Sequence, residues 1–241
     1  MTFLGFILAL YTFEYCFEWM EKRENKLSLI GQSGTTDPIE KRIRTDSEFS
    51  IPVATLTLLS ILNGNVSDGI KTKKGELVPL GNTAHVTTFL CKNDIEPVVF
   101  KSDRFGFNNQ DQVWNSSATE IAILGDSYVE GVCVKPEKNI LSEIIKIYPD
   151  SINLGIIGHG QLTILGTIIE YLSYQRSQIL LWCYSANDIY PNLTNEKGNK
   201  ILKQYLDNGF SQNLIEHQTE IDQIINTFNQ ISRNKIALLP T

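Results

Sequence analysis

The chain reads as an α/β protein built on a doubly wound parallel sheet, preceded by an accessory region of short strands and loops. Three observations predict this. Compact apolar runs of strand length stand at Ile121–Leu124, Ser151–Leu154, Ile179–Tyr184 and Ile236–Leu239, each bounded by turn residues. Helix-length segments separate them. In the clearest of these segments, Phe210, Leu214, His217, Ile221, Ile224, Phe228 and Ile231 recur at alternating spacings of four and three, which predicts a helix over 210–231 burying one stripe against a sheet. Strands alternating with helices imply right-handed crossovers and a sheet covered on both faces. In such sheets the ligand site lies outside the carboxyl ends of the strands.

The elements before residue 119 are of another kind. Between 21 and 118, turn-rich stretches (GQSGTTDP, LNGNVSDG, KTKKGE) separate short apolar runs such as Ile51–Leu59 and His85–Leu90, the pattern of an accessory region. Residues 119–241 form the α/β domain. At the front, Phe3–Phe13 is almost wholly apolar and runs on to Met20 with Glu14 and Glu18 near its end. As a helix, residues 3–20 would reach roughly 27 Å against ~30 Å of hydrocarbon. Residues 1–20 therefore read as a membrane anchor or uncleaved signal, with an ordinary docking helix as the alternative. A cleavable signal fits less well, because no basic residue precedes the run and no small-x-small site follows it. Lys22, Arg23 and Lys26 follow it, which by the positive-inside rule would leave the remainder in the cytoplasm.

Composition removes several functions. The chain has 241 residues, 42% of them hydrophobic, enough for one sizeable core and too many for extensive disorder. A net charge of −6 with no basic block argues against nucleic acid as partner. Cys16, Cys91, Cys133 and Cys183 form no C-x-x-C pair, so neither a zinc ribbon nor a thioredoxin-type dithiol is written here and no metal is expected. No Walker-type G-K-[ST] is present, and no cofactor is expected.

Three strand ends carry the chemistry. Gly125-Asp126-Ser127 follows the first strand, and a serine on a tight strand-to-helix turn presents its hydroxyl and its own N–H where the helix dipole favours negative charge. Asn153-Leu-Gly155-Ile-Ile-Gly158-His159-Gly160 follows the second, where missing side chains let a substrate approach backbone amides. Ser185-Ala-Asn187-Asp188 follows the third and supplies an amide that can donate two hydrogen bonds. Each block alone also reads as an ordinary cap or turn.

Together, in this order, the blocks resemble the SGNH/GDSL hydrolase family. The resemblance covers about residues 80–240. It includes Ser102-Asp-Arg-Phe-Gly-Phe-Asn-Asn109 and, within Asn195 to Asp222, Tyr205-Leu206, Gly209–Leu214 and Gln218–Asp222, which look like a bacterial, extracytoplasmic branch associated with surface polysaccharide. It implies Ser127 as nucleophile and an oxyanion hole from the Ser127 amide, the Gly158 amide and the Asn187 side chain. It further implies a flavodoxin-like strand order, an ester substrate on a small molecule or carbohydrate, and no cofactor.

Two departures stand out. Ser185 replaces the usual glycine of the third block. No D-x-x-H exists: Asn82, Ile156 and Leu214 stand three residues before His85, His159 and His217. The expectation is a chain truncated before that block, with its last strand missing and its catalysis impaired. A non-catalytic glycan- or acyl-binding module on the same fold is the alternative. If the protein works outside the cytoplasm, the branch also implies a Cys91–Cys133 disulfide, with Cys16 in the hydrophobic end and Cys183 a free thiol in a core strand.

Overall fold

The computed structural model describes residues 38–92, 96–186 and 188–237. The expected anchor at 3–20, Asn187 and the end of the expected fourth strand, Leu238–Leu239, lie outside the described residues. In chain order the first half comprises α1 (Pro38–Thr45), β1 (Phe49–Ser50), α2 (Thr55–Asn63), the hairpin β2 (Ile70–Thr72) and β3 (Gly75–Leu77), then β4 (Thr87–Lys92) and β5 (Pro97–Lys101). β4 pairs parallel with β1 and antiparallel with β5. The second half comprises β6 (Ala118–Leu124), α3 (Ser127–Glu130), α4 (Ile140–Ile144), β7 (Ile152–Asn153), α5 (Gln161–Thr167), β8 (Arg176–Trp182), α6 (Lys200–Gln204) and α7 (Gln218–Ala237).

β6 is central in a parallel sheet of order β7-β6-β8, with Ala122 opposite Ile152 and Leu180. A stretch buried on both faces must be apolar at every position, and Ile121–Leu124 of β6 is. Ala122 and Leu124 join the main core, while Ile121 and Ile123 join a second cluster with Val129 and Leu141. Val53, Leu58, Leu59, Leu77 and Leu80 belong to the same main core as Leu154, Ile164 and Phe228, so residues before and after 118 share it. Among the described residues, no helix is long and apolar enough to cross a membrane.

Three local expectations are corrected. The run Ile51–Leu59 turns into helix α2 at Thr55, because Leu58 and Leu59 are buried on one helical face and Gly64, in the left-handed conformation at φ 67°, caps its end. The helix expected over 210–231 begins only at Gln218, after a single 3₁₀ turn at Leu214–His217. Glu170 holds the preceding residues by accepting the N–H groups of Gln212 and Leu214, and Asn213 between them is left-handed at φ 54°. The buried stripe of α7 faces α1 and α2 rather than the parallel sheet. Ile236 and Ala237, expected in a fourth strand, form the last turn of α7, since no glycine or proline interrupts its periodicity before Pro240.

β7 is only two residues long and is held by polar side chains. Asp103 is fully buried and accepts four hydrogen bonds, from the Phe105 and Phe107 amides at 2.9 Å, Asn109 Nδ2 at 2.8 Å and Trp114 Nε1 at 2.7 Å. Burial pushes its pKa up to about 6 against those donors. Asn109 passes the constraint on by donating to Asn153 O at 2.8 Å and accepting the Asn153 amide at 2.7 Å. Asn153 then donates through Nδ2 to Val129 O and accepts the Gly155 amide. Replacing Asp103 by alanine strands four buried donors, and is expected to lower stability by at least about 3 kcal/mol in urea unfolding. Asp103→Asn, which keeps one acceptor oxygen, is expected to lose less.

Candidate functional site

The first block is a tight turn at the end of β6. Asp126 caps α3 by accepting the Tyr128 amide at 3.0 Å, and Gly131, at φ 90°, ends the helix after one turn. Ser127 is its first residue. It is half-buried, and neither its hydroxyl nor its amide bonds to a described residue. Gly125 admits no side chain: a Cβ there would lie 2.5 Å from Val129 Cγ2 and 3.0 Å from Cys183 O.

The second block is hydrogen-bonded to the first. The Ile156 amide donates to Gly125 O at 3.3 Å and the Ile157 amide to Glu130 Oε2 at 2.8 Å. Gly158 is left-handed at φ 69°, and a Cβ on it would lie 2.6 Å from the Ala54 Cβ. Its amide, like that of Ser127, bonds to no described residue. Beyond it, Glu196 anchors the start of α5 by accepting from the Gly160 and Leu162 amides at 2.8 Å and from the Thr163 hydroxyl.

The third block joins the first through Ser185, whose hydroxyl donates to Asp126 Oδ2 at 3.4 Å. Ser185 therefore has its own bond to the turn that carries Ser127. Asp188 closes the block by accepting the Ser185 amide at 2.8 Å. It is buried, its Oδ1 has no partner among the described residues, and desolvation pushes its pKa up to about 6, with the charge of Asp126 adding to the effect. The structure thus ties the Ser127 and Gly158 turns together and brings Ser185 and Asp188, on either side of Asn187, to the same sheet edge.

The histidines face elsewhere. His159 is fully buried, and its Nε2 lies 3.2 Å from Thr55 Oγ1. Thr55 gives its own proton to Pro79 O, so the imidazole must be the donor, protonated on Nε2. Nδ1 is then a lone pair without a partner among the described residues, and burial pushes the ring down to about 3. His217 lies 3.8 Å from Glu220, and His85 4.0 Å from Asp111. Among the described residues no group of three or more His, Cys, Asp or Glu side chains is placed to hold a metal ion. A cavity of about 150 Å³ between α2 and α7, lined by Val53, Thr57, Phe228 and Ile236, includes none of the three blocks.

Cys91 and Cys133 form the disulfide implied by the family resemblance, with Cα atoms 5.3 Å apart. It fastens β4 to the loop that follows α3. Cys183 is free.

Sequence reasoning missed Glu130, which lies three residues after Ser127, is fully buried and accepts the Ile157 amide. Desolvation pushes its pKa up to about 8 and Asp126 adds repulsion. A glutamate one turn along from a serine looks like a solvated helix residue, and nothing local marks it otherwise. No family model, curated protein or solved structure matches the chain.

Glu130 makes a pH prediction. The unfolded side chain loses its proton near 4.5 and the folded one near 8, so the folded state holds the extra proton between these values. Stability falls as pH rises through that window. Glu130→Gln keeps the oxygen facing Ile157 and carries no charge. Its melting temperature is expected to match that of the parent near pH 5 and to exceed it progressively up to pH 8 or above. Parallel curves for the two proteins in thermal denaturation across this range would show that Glu130 does not titrate as stated.

Proposed function

We propose that the chain carries the acyl-transfer site of an SGNH/GDSL-type serine esterase, acting on an ester that includes O-acyl groups of a surface polysaccharide among its candidates. One observation carries the reading. Ser127 opens a helix at the carboxyl end of the central parallel strand with hydroxyl and amide both unengaged by any described residue, and its turn is bonded to a glycine turn whose Gly158 amide is likewise unengaged by any described residue. The order β7-β6-β8 fits the first three strands of the flavodoxin-like arrangement. The Cys91–Cys133 disulfide supports an extracytoplasmic location, because oxidising compartments favour such links.

In this reading Ser127 Oγ attacks the ester carbonyl carbon, and the carbonyl oxygen takes up the displaced electron pair. The Ser127 and Gly158 amides and the Asn187 side chain would hold that oxyanion, each donor contributing about 3–4 kcal/mol to lowering the barrier. Collapse expels the alcohol and leaves an acyl-serine. The serine proton needs a base, and no histidine of the described residues bonds to Ser127. That same observation favours the second reading, a glycan- or acyl-binding module that keeps the pocket without the turnover.

A fluorophosphonate probe separates the two. The esterase reading expects slow, stoichiometric labelling at Ser127, lost in Ser127→Ala, with p-nitrophenyl acetate hydrolysis only weakly above background. Gly158→Ala, which forces a Cβ into a left-handed position against Ala54, is expected to cut the labelling rate by about tenfold or more. Absence of labelling at Ser127, with the chain folded by circular dichroism, leaves the binding-module reading standing and the esterase reading refuted.

A further inference from the structure

β8 is composed like an interior strand but stands at an edge. Ile179, Leu180, Leu181 and Trp182 are 51, 50, 41 and 39% exposed, and Tyr184 just beyond them is 57% exposed. Among the described residues only β6 bonds to this strand. Soluble chains blunt such an edge with lysine, proline or inward charges, and Ser177–Tyr184 contains no lysine, no proline and no charge.

We propose that this edge is an interface between two copies of the chain, their β8 strands paired antiparallel about a twofold axis at Leu180. The backbone supports the pairing. The Cys183 amide donates inward to Leu124 O at 2.8 Å. Successive residues of a strand point their amides to opposite sides, so Trp182 and Leu180 turn theirs to the open edge. A pivot at Leu180 sets the two Leu180 residues opposite each other as a hydrogen-bonded pair, and Trp182 opposite Gln178 of the second copy.

The side chains agree with that register. On one face Ile179 meets Leu181 of the second copy, and the reverse. On the other, Leu180 meets its own symmetry mate, and Arg176, the one charged residue of β8, meets the ring of Tyr184 in a cation–π pair. Arg176 and Leu180 border a groove with Ile168, Ile169 and Leu172, open to receive side chains from across the axis. The exposed run offers on the order of 500 Å² per copy, within the range of functional patches. Complete burial of both runs would remove at most about 1,000 Å² in total, at the lower limit for a specific interface, so the dimer is expected to be weak and concentration-dependent.

Sedimentation of the 241-residue chain over the micromolar range tests this. The expected result is a reversible dimer of twice 27.2 kDa, weakened by Leu180→Lys at least tenfold. Leu180 is half-exposed in a single copy, so the lysine buries no charge there, and an unchanged circular dichroism spectrum accompanies the loss of dimer. A cysteine at position 180, in a background with Cys16 and Cys183 replaced by serine, is expected to crosslink to its symmetry mate on mild oxidation. A cysteine at Gln178, which faces Trp182, is expected to crosslink far more slowly. A chain that stays monomeric, because its own apolar segment 3–13 or a different partner covers β8, overturns the proposal. So does a dimer indifferent to Leu180→Lys, or equal crosslinking at positions 178 and 180.

Discussion

The position of the candidate nucleophile depends on one buried carboxylate. Asp103 gathers two backbone amides, an asparagine and a tryptophan from its own loop, and Asn109 carries the constraint to Asn153 and so to the carbonyl of Val129 in the Ser127 helix. A two-residue strand cannot fix its own register by ladder bonds alone. A helix of four residues likewise has no internal stability to speak of. Both elements are short, and both are held by polar side chains reaching from a loop that precedes the sheet. A buried network of this kind is worth having only when every member is satisfied, and in this one each Asp103 oxygen is used.

The buried carboxylates show how donor number sets charge. Asp103 and Glu130 are both removed from water, yet burial drives Asp103 only to about 6 and Glu130 to about 8. Four donors offset much of the desolvation in one case, and a single amide offsets little in the other. At neutral pH the first is ionised and serves as an anchor, while the second is mostly protonated. The consequence for the site is electrostatic. A neutral Glu130 removes from the helix that begins at Ser127 a negative charge that the sequence alone would place there.

The region before residue 118 is part of the site's structure. Ala54 sits against Gly158, the Thr55 hydroxyl oxygen accepts a hydrogen bond from His159 Nε2, and the disulfide of Cys91 reaches the loop after α3. The Gln212, Gln218 and Asp222 side chains bond to Val78, Asn82 and Ala84, tying the start of α7 to the same segment. Residues that carry the family resemblance outside the three blocks therefore act largely as braces between the N-terminal segment and the sheet.

By itself the sequence determined the class of fold, the places where β6, β7 and β8 form, and the turns that end them. Those features rest on local patterns: apolar runs for parallel strands, buried in β6 and β7 but left exposed at the edge in β8, glycine where the backbone must turn left-handed, and Asp126 as a cap. It also marked Ser127 and Gly158, because their residue types and spacing are local. Only the tertiary structure decided that Thr55 starts a helix, that Ile236 ends one, that His159 is a buried donor to a threonine, and that Glu130 keeps its proton near neutral pH. A short apolar run suits strand and helix equally until its neighbours choose a face. Likewise, the charge of a side chain depends on donors that come from residues far away in the chain, which no local spacing records.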